Sequence, residues 1–270
     1  MDFDYIECGD CLELMKQIPN NSIDMILCDL PYGMTANSWD NVINFSELWR
    51  SYERIIKDEG AIVLFSQQPF TSELILSNLP LYKYNWTWNK GQGANFITSH
   101  YQPLRVTEDI CVFSKNAASY VKSGETMIYN PQFTQGKPYK TRSGKQKQPS
   151  IVRSGIESTG GKVTVSNGRR YPTNLLSFPK DKDKLHPTQK PIALLEYLIK
   201  TYTSEGDIVL DNCMGSGSTC VAAINTNRHY IGYEISEEYF DIACNRLDMV
   251  EGEVAWTFSE VLYQQKIKSV

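Results

Sequence analysis

Short apolar runs of strand length alternate with helix-like segments over residues 22–113 and again over 188–249. That alternation confines the chain to an α/β fold. Ser22–Cys28 (SIDMILC) and Gly60–Phe65 (GAIVLF) are nearly continuous apolar runs, the signature of strands buried on both faces. Between them, Phe45–Lys57 carries Phe45, Leu48, Trp49, Tyr52, Ile55 and Ile56 on helical spacing. Gln68–Leu79 predicts a helix, and Tyr82–Trp88 and Ile110–Phe113 predict strands rich in aromatic and β-branched residues. The second block predicts a helix at Thr188–Tyr202, a strand at Asp207–Leu210, a helix at Ser218–Asn225, a strand at His229–Tyr233 and a helix at Ser236–Met249. Strands separated by helices at this spacing predict a doubly wound parallel sheet covered on both faces.

Residues 115–184, between the blocks, are rich in Gly, Ser, Lys, Gln and Pro and have no clear period. So long an irregular stretch within a compact domain is usually functional or disordered. It holds 14 Lys and Arg against 4 Asp and Glu, while the rest of this 270-residue chain is acidic, so the overall net charge is −4. A basic block in an acidic protein points to a polyanionic partner; a solvated loop with incidental lysines has the same composition. No apolar run reaches membrane-spanning length, and the first residues lack the layout of a signal peptide, which predicts a cytoplasmic protein. The seven cysteines are odd in number, and Cys28, Cys111, Cys220 and Cys244 lie in apolar segments, as reduced buried thiols do. Cys8 and Cys11 have C-x-x-C spacing, but no second pair and only three histidines accompany them, so no metal site is expected.

Three motifs carry chemistry. Strand Asp207–Leu210 runs into Asp211-Asn-Cys-Met-Gly-Ser-Gly-Ser-Thr219 and then a helix. Glycines there let a ligand approach the backbone at a helix N-terminus, and Glu234, about 20 residues on, ends the next strand where an acid can hold a ribose diol. Cys220 stands where a nicotinamide fingerprint needs its third small residue, and no lysine follows as in a phosphate-binding loop. Asp29-Leu-Pro-Tyr-Gly33 lies at the carboxyl end of the first strand, where ligands of open α/β sheets bind. A carboxylate, a fixed backbone carbonyl and an aromatic face suit a flat base bearing an amine. His186-Pro-Thr-Gln-Lys-Pro191 opens the helix before the glycine loop. Taken singly, each motif also reads as an ordinary turn or helix start.

In this order the three motifs resemble those of the S-adenosylmethionine-dependent DNA amino-methyltransferases, in particular their circularly permuted β group. The catalytic motif comes first, then a variable basic region, then HPTQKP and the cofactor loop. Gly9-Asp10 with Cys-Leu-Glu-Leu, the Trp86-Thr-Trp-Asn-Lys90 strand and Asn174–Lys180 add to the resemblance, which covers residues 5–115 and 171–248. It implies a Rossmann-like methyltransferase sheet in which residues 1–114 form the catalytic half, 115–184 a target-recognition region and 185–270 the cofactor half. Asp29 and Tyr32 would hold and stack the target base, with Leu30 or Pro31 offering a backbone carbonyl. Asp211, Asn212, Gly215, Ser216 and Gly217 would line the methionine end of S-adenosylmethionine, Glu234 would take the ribose and Asp10 would reach the adenine. Thr188, Gln189 and Lys190 would face the methionine carboxylate. Leu30 stands where the family more often has proline, and Asn212-Cys213 replaces the more usual Pro-Phe.

The expected activity is methyl transfer to an amino nitrogen of a base in double-stranded DNA. The acid at position 29 favours adenine N6, and cytosine N4 is the alternative. Arg142, Arg153, Arg169 and Arg170 are candidate DNA contacts. The resemblance also allows a homodimer. Two rivals are an RNA or protein-glutamine methyltransferase, disfavoured by Asp29 and by the motif order, and a DNA-binding protein with a dead methyltransferase core, disfavoured by the intact motifs.

Overall fold

The apolar runs occupy the middle of an eight-stranded sheet in the computed structural model, which describes residues 2–33, 41–119, 124–142, 163–181 and 189–250. In chain order the elements are β1 (Tyr5–Cys8), α1 (Cys11–Leu14), β2 (Ile23–Asp29), α2 (Phe45–Ile55), β3 (Ile56–Ser66), α3 (Phe70–Ser77), β4 (Tyr82–Ala94), β5 (Arg105–Phe113), β6 (Thr134–Gln135), β7 (Tyr139–Arg142), β8 (Val163–Ser166), β9 (Arg169–Arg170), β10 (Leu175–Ser177), α4 (Ile192–Tyr202), β11 (Ile208–Asp211), α5 (Ser218–Asn225) and β12 (His229–Glu234). Residues 237–250 form a further helix, α6. The sheet order is β1-β12-β11-β2-β3-β5-β4-β10.

Side-chain alternation along the central strands builds two cores. Met25, Leu27, Ala61, Val63, Phe65 and Val209 face one side, where Leu194, Leu195, Leu198 and Ile199 of α4 and Val221 and Ala222 of α5 cover them. Ile23, Ile26, Cys28, Ile62, Leu64 and Leu210 face the other, under Leu48, Trp49, Tyr52 and Ile55 of α2 and Leu74 of α3. Burial on both faces is why these strands show no polar alternation.

The expected elements recur with shifted ends. The α2 helix stops at Ile55, two residues early, because Ile56 already pairs with Ile23 on β2. Within the eight-stranded sheet the expectation of parallel pairing holds except at β5, which is antiparallel to both β3 and β4. The segment from Asn95 to Leu104 has only a three-residue helical turn, too little chain for the crossover that parallel strands require. This reversal brings the first residues of β5 to the end of the sheet where β2, β3, β4 and β11 finish.

The β2 strand lies between β11 and β3. From β2 the chain passes through α2 to β3, and from β11 it passes through α5 to β12, in opposite directions along the sheet. The carboxyl ends of β2 and β11 therefore meet at a topological switch point, where open α/β sheets form their ligand crevice.

Residues Pro131–Thr173 form a compact unit of their own, with the ladders β6–β9 and β7–β8. Within it the Arg169 guanidinium lies 3.4 Å from the Phe133 ring centroid, and Phe133 packs against Tyr171. This unit is narrower than the irregular stretch 115–184. Met127 is buried in the main core, and β10 pairs with β4 at the sheet edge. No helix among the described residues is long and apolar enough to cross a membrane.

Candidate active site

A cavity of about 730 Å³ opens at the switch point. Its wall includes Asp29, Leu30, Pro31 and Tyr32 after β2, Asp211, Asn212, Gly215 and Ser216 after β11, Glu234 after β12, Asp10 after β1, and Gln189 and Lys190 before α4. The residues that the sequence assigns to base and cofactor thus converge on one crevice. Gly217 stands just behind it as the N-cap of α5, with φ 74°. Thr188 and Arg153 lie outside the described residues.

The cofactor half is a tightly braced loop. Strand β11 ends in Asp211, whose carboxylate accepts from the Cys213 backbone N–H at 3.1 Å. Asp211 is 4% exposed, and burial raises its pKa to about 7. Glu234 bridges two loops, one carboxylate oxygen accepting from Gly215 N–H at 2.8 Å and the other from Ser236 N–H at 2.9 Å. Gly215 and Gly217 have φ of 52° and 74°, a region in which a side chain would be strained. At Gly232 a Cβ would run into Met214 Sδ and lie 2.9 Å from Cys220 Sγ, so the absent side chain lets the loop sit on β12. Asn212 departs from the family's proline and turns inward, its Oδ1 accepting from the buried Tyr52 hydroxyl at 2.5 Å. Asp10 caps α1, accepting from Leu12 N–H at 2.8 Å, while also lining the cavity.

The catalytic half centres on Asp29. Its Oδ1 accepts from the Tyr32 hydroxyl at 2.5 Å, and its Oδ2 accepts from Lys190 Nζ. The Tyr32 ring packs against Phe70, with centroids 4.9 Å apart. Leu30 is buried in the core beneath, which anchors the loop without the proline.

The sequence reading missed Glu108 and Lys90. Glu108 enters from β5, opposite Trp88 of β4, and accepts from Lys90 Nζ at 2.9 Å. Its other oxygen lies 3.5 Å from Lys190 Nζ. Asp29, Glu108, Lys90 and Lys190 make a quartet with balanced formal charge, its two lysines buried and its two carboxylates partly exposed to the cavity. Burial alone would raise Glu108, but the two lysines outweigh it and hold its pKa low. Burial alone would lower the Lys190 ammonium, and the two carboxylates outweigh that and raise it. Burial pushes Asp29 upward against the pull of Lys190. Lys90 and Glu108 stand just outside the apolar runs Tyr82–Trp88 and Ile110–Phe113, beside Asn89 and Asp109, so the local sequence does not single them out, and the antiparallel turn of β5 brings them to the site.

The site fits an adenosine cofactor whose methionine end bears a cation. A buried carboxylate at Asp211, a second at Glu234 and glycine backbone before α5 would supply the complementary groups. Among the described residues no group of three His, Cys, Asp or Glu side chains is placed to hold a metal ion.

A doubly wound sheet with an acidic aromatic loop and a glycine loop at its switch point defines a nucleotide-cofactor transferase of the Rossmann-like class. The family model described as DNA methylase, covering the N6 and N4 amino-methyltransferases, matches residues 23–245, and the chain belongs to that family. Its methyl donor is S-adenosylmethionine and its substrate is DNA. The chain is 29% identical over 262 residues to the DNA adenine methyltransferase YhdJ of Escherichia coli K12, covering 89% of this chain and 81% of that one. It is 31% identical over 260 residues to the type II methyltransferase M.HpaI of Haemophilus parainfluenzae, covering 89% and 73%. Among solved structures it shares the fold of an M1.HpyAVI complex with S-adenosylmethionine (TM-score 0.58, 24% identity, 90% and 98% coverage). It also shares that of the cytosine-N4-specific PvuII DNA methyltransferase (TM-score 0.61, 16% identity, 90% and 86% coverage).

Proposed function

We propose that this methylase transfers its methyl group to N6 of adenine within a specific DNA sequence, with Asp29 and Tyr32 as the residues that engage the base. The observation that carries the reading is the Asp29 carboxylate at the mouth of β2, paired with Tyr32 and Lys190 and sharing one crevice with Asp211 and Glu234. Relatives named as adenine methyltransferase and type II methyltransferase support the choice of adenine over cytosine.

S-adenosylmethionine supplies a sulfonium methyl that is already activated, so the protein's task is positioning. The exocyclic amine is a poor nucleophile because its lone pair is delocalised into the ring. Asp29 accepts an amine hydrogen bond, a carbonyl of Leu30 or Pro31 accepts the second, and the nitrogen gains tetrahedral character with its lone pair turned toward the cofactor side of the crevice. Tyr32 supplies the stacking face for a base that has left the duplex. Asp211 and Glu234 would hold the cofactor's methionine end and ribose, Asp10 its adenine, and Thr188, Gln189 and Lys190 its carboxylate region. Residues 115–184 serve as the target-recognition region, with Arg142, Arg153, Arg169 and Arg170 as its candidate DNA contacts. The family resemblance implies action in the cytoplasm without a metal and allows a homodimer.

Nucleoside analysis of duplex DNA methylated by the purified protein tests the choice of base. N6-methyladenine is expected, and N4-methylcytosine as the product would contradict it.

A further inference from the structure

Both carboxylate oxygens of Asp29 are engaged. Oδ1 accepts from Tyr32, and Oδ2 accepts from the Lys190 ammonium. An amine entering to use Asp29 as its acceptor meets a strong charge-assisted bond at Oδ2. Glu108 Oε2 lies on the far side of that same ammonium, at 3.5 Å. It is buried and has no hydrogen-bond partner of its own, although Oε1 is held by Lys90. A buried carboxylate oxygen without a protein donor is costly, and here one cation stands within a small displacement of satisfying it. Lys190 is held between two anions, bonded to one and in reach of the other.

We propose that Glu108 is a positioning residue that draws Lys190 off Asp29 as the target amine enters, freeing Oδ2 for the base. The ammonium moves from Asp29 Oδ2 to Glu108 Oε2 and the amine N–H takes its place on Asp29. No proton changes owner and the quartet keeps its charge. Lys90 fixes Glu108 in place, so the vacant oxygen stays aimed at Lys190. The proposal rests on the reading of Asp29 as the base acceptor. It gives Lys190 a task at the base as well as any at the cofactor.

The test is single-turnover methyl transfer to duplex DNA, with S-adenosylmethionine affinity measured by calorimetry on the same samples. Glu108→Gln should slow transfer by about tenfold or more while changing cofactor affinity by less than about twofold. At S-adenosylmethionine concentrations that saturate each variant by the calorimetric measurement, adding Lys190→Gln should speed the Glu108→Gln enzyme, because the ammonium left on Asp29 is the obstruction. A purely structural Glu108 would instead give a double variant slower than either single one, which overturns the proposal. Transfer at the wild-type rate in Glu108→Gln overturns it too. Should Glu108→Gln fail to fold, Glu108→Asp is read by the same criteria, since it keeps the charge but withdraws it by one methylene. Asp29→Ala separates the two levels. Wild-type transfer in Asp29→Ala removes the underlying reading, whereas an inactive Asp29→Ala beside a fully active Glu108→Gln removes only the role of Glu108.

Discussion

Tyr52 of α2 donates its hydroxyl to Asn212 Oδ1 at 2.5 Å, joining a helix on one face of the sheet to the cofactor loop at its end. Tyr52 is fully buried and Asn212 is 2% exposed, so water cannot replace the bond. Tyr52→Phe leaves the Asn212 carbonyl oxygen without its donor, a cost of about 1–3 kcal/mol. The expected result is a lower thermal midpoint together with weaker S-adenosylmethionine binding. Both are checked on one sample by melting with and without cofactor.

The raised pKa of Asp211 has a defined sign. Burial lifts the carboxyl from 3.8 to about 7, so over that interval the native state holds more protons than the unfolded chain. Its contribution to stability is therefore largest below the unfolded value and is lost as pH rises through about 7. A cofactor bearing positive charge favours the ionised form. S-adenosylmethionine affinity should increase between about pH 6 and about pH 8, with proton release on binding at the lower end. Asp211→Asn should bind weakly and lose this pH dependence, as followed by calorimetry in two buffers of different ionisation enthalpy.

Gly232→Ala tests the seating of the cofactor loop. The new methyl group would meet Met214 Sδ and lie 2.9 Å from both Cys220 Sγ and Ile6 Cγ2. Overpacking of this kind costs about 1–3 kcal/mol. Because Met214 belongs to the loop, cofactor affinity should fall with stability, whereas a variant remote from the loop would lower stability alone.

Arg169 and Arg170 should separate. Arg170 donates to Lys137 O at 2.6 Å and to Ser166 Oγ at 2.9 Å, tying its compact unit together. Arg169 is exposed and lies over Phe133. Arg169→Ala should weaken DNA binding and reduce the slope of log affinity against log salt by about one, with the fold intact. Arg170→Ala should loosen the unit itself, read as faster proteolysis within residues 131–173.

The sequence made the two-sided core legible because β2 and β3 are apolar without alternation, and it made the crevice legible because Asp29, Asp211 and Glu234 all stand at strand ends. Helix α5 falls where Ser218–Asn225 was expected. What stayed hidden depends on contacts far apart in the chain. The reversal of β5 comes from the short Asn95–Leu104 connection, and it alone turns Glu108, one of two adjacent acids on its strand, into a neighbour of Lys190. The pairing of Lys190 with Asp29 spans 161 positions and leaves no local pattern. In the sequence Asn212 stands only as a departure from the family's proline, and its buried partner Tyr52 lies 160 positions away.

The central claim is that the Asp29 carboxylate receives the target base. Transfer of labelled methyl from S-adenosylmethionine to duplex DNA, compared between the wild type and Asp29→Ala with cofactor binding verified on each, tests it most directly. The account predicts that Asp29→Ala binds the cofactor yet transfers no measurable methyl, and transfer at near the wild-type rate would contradict it.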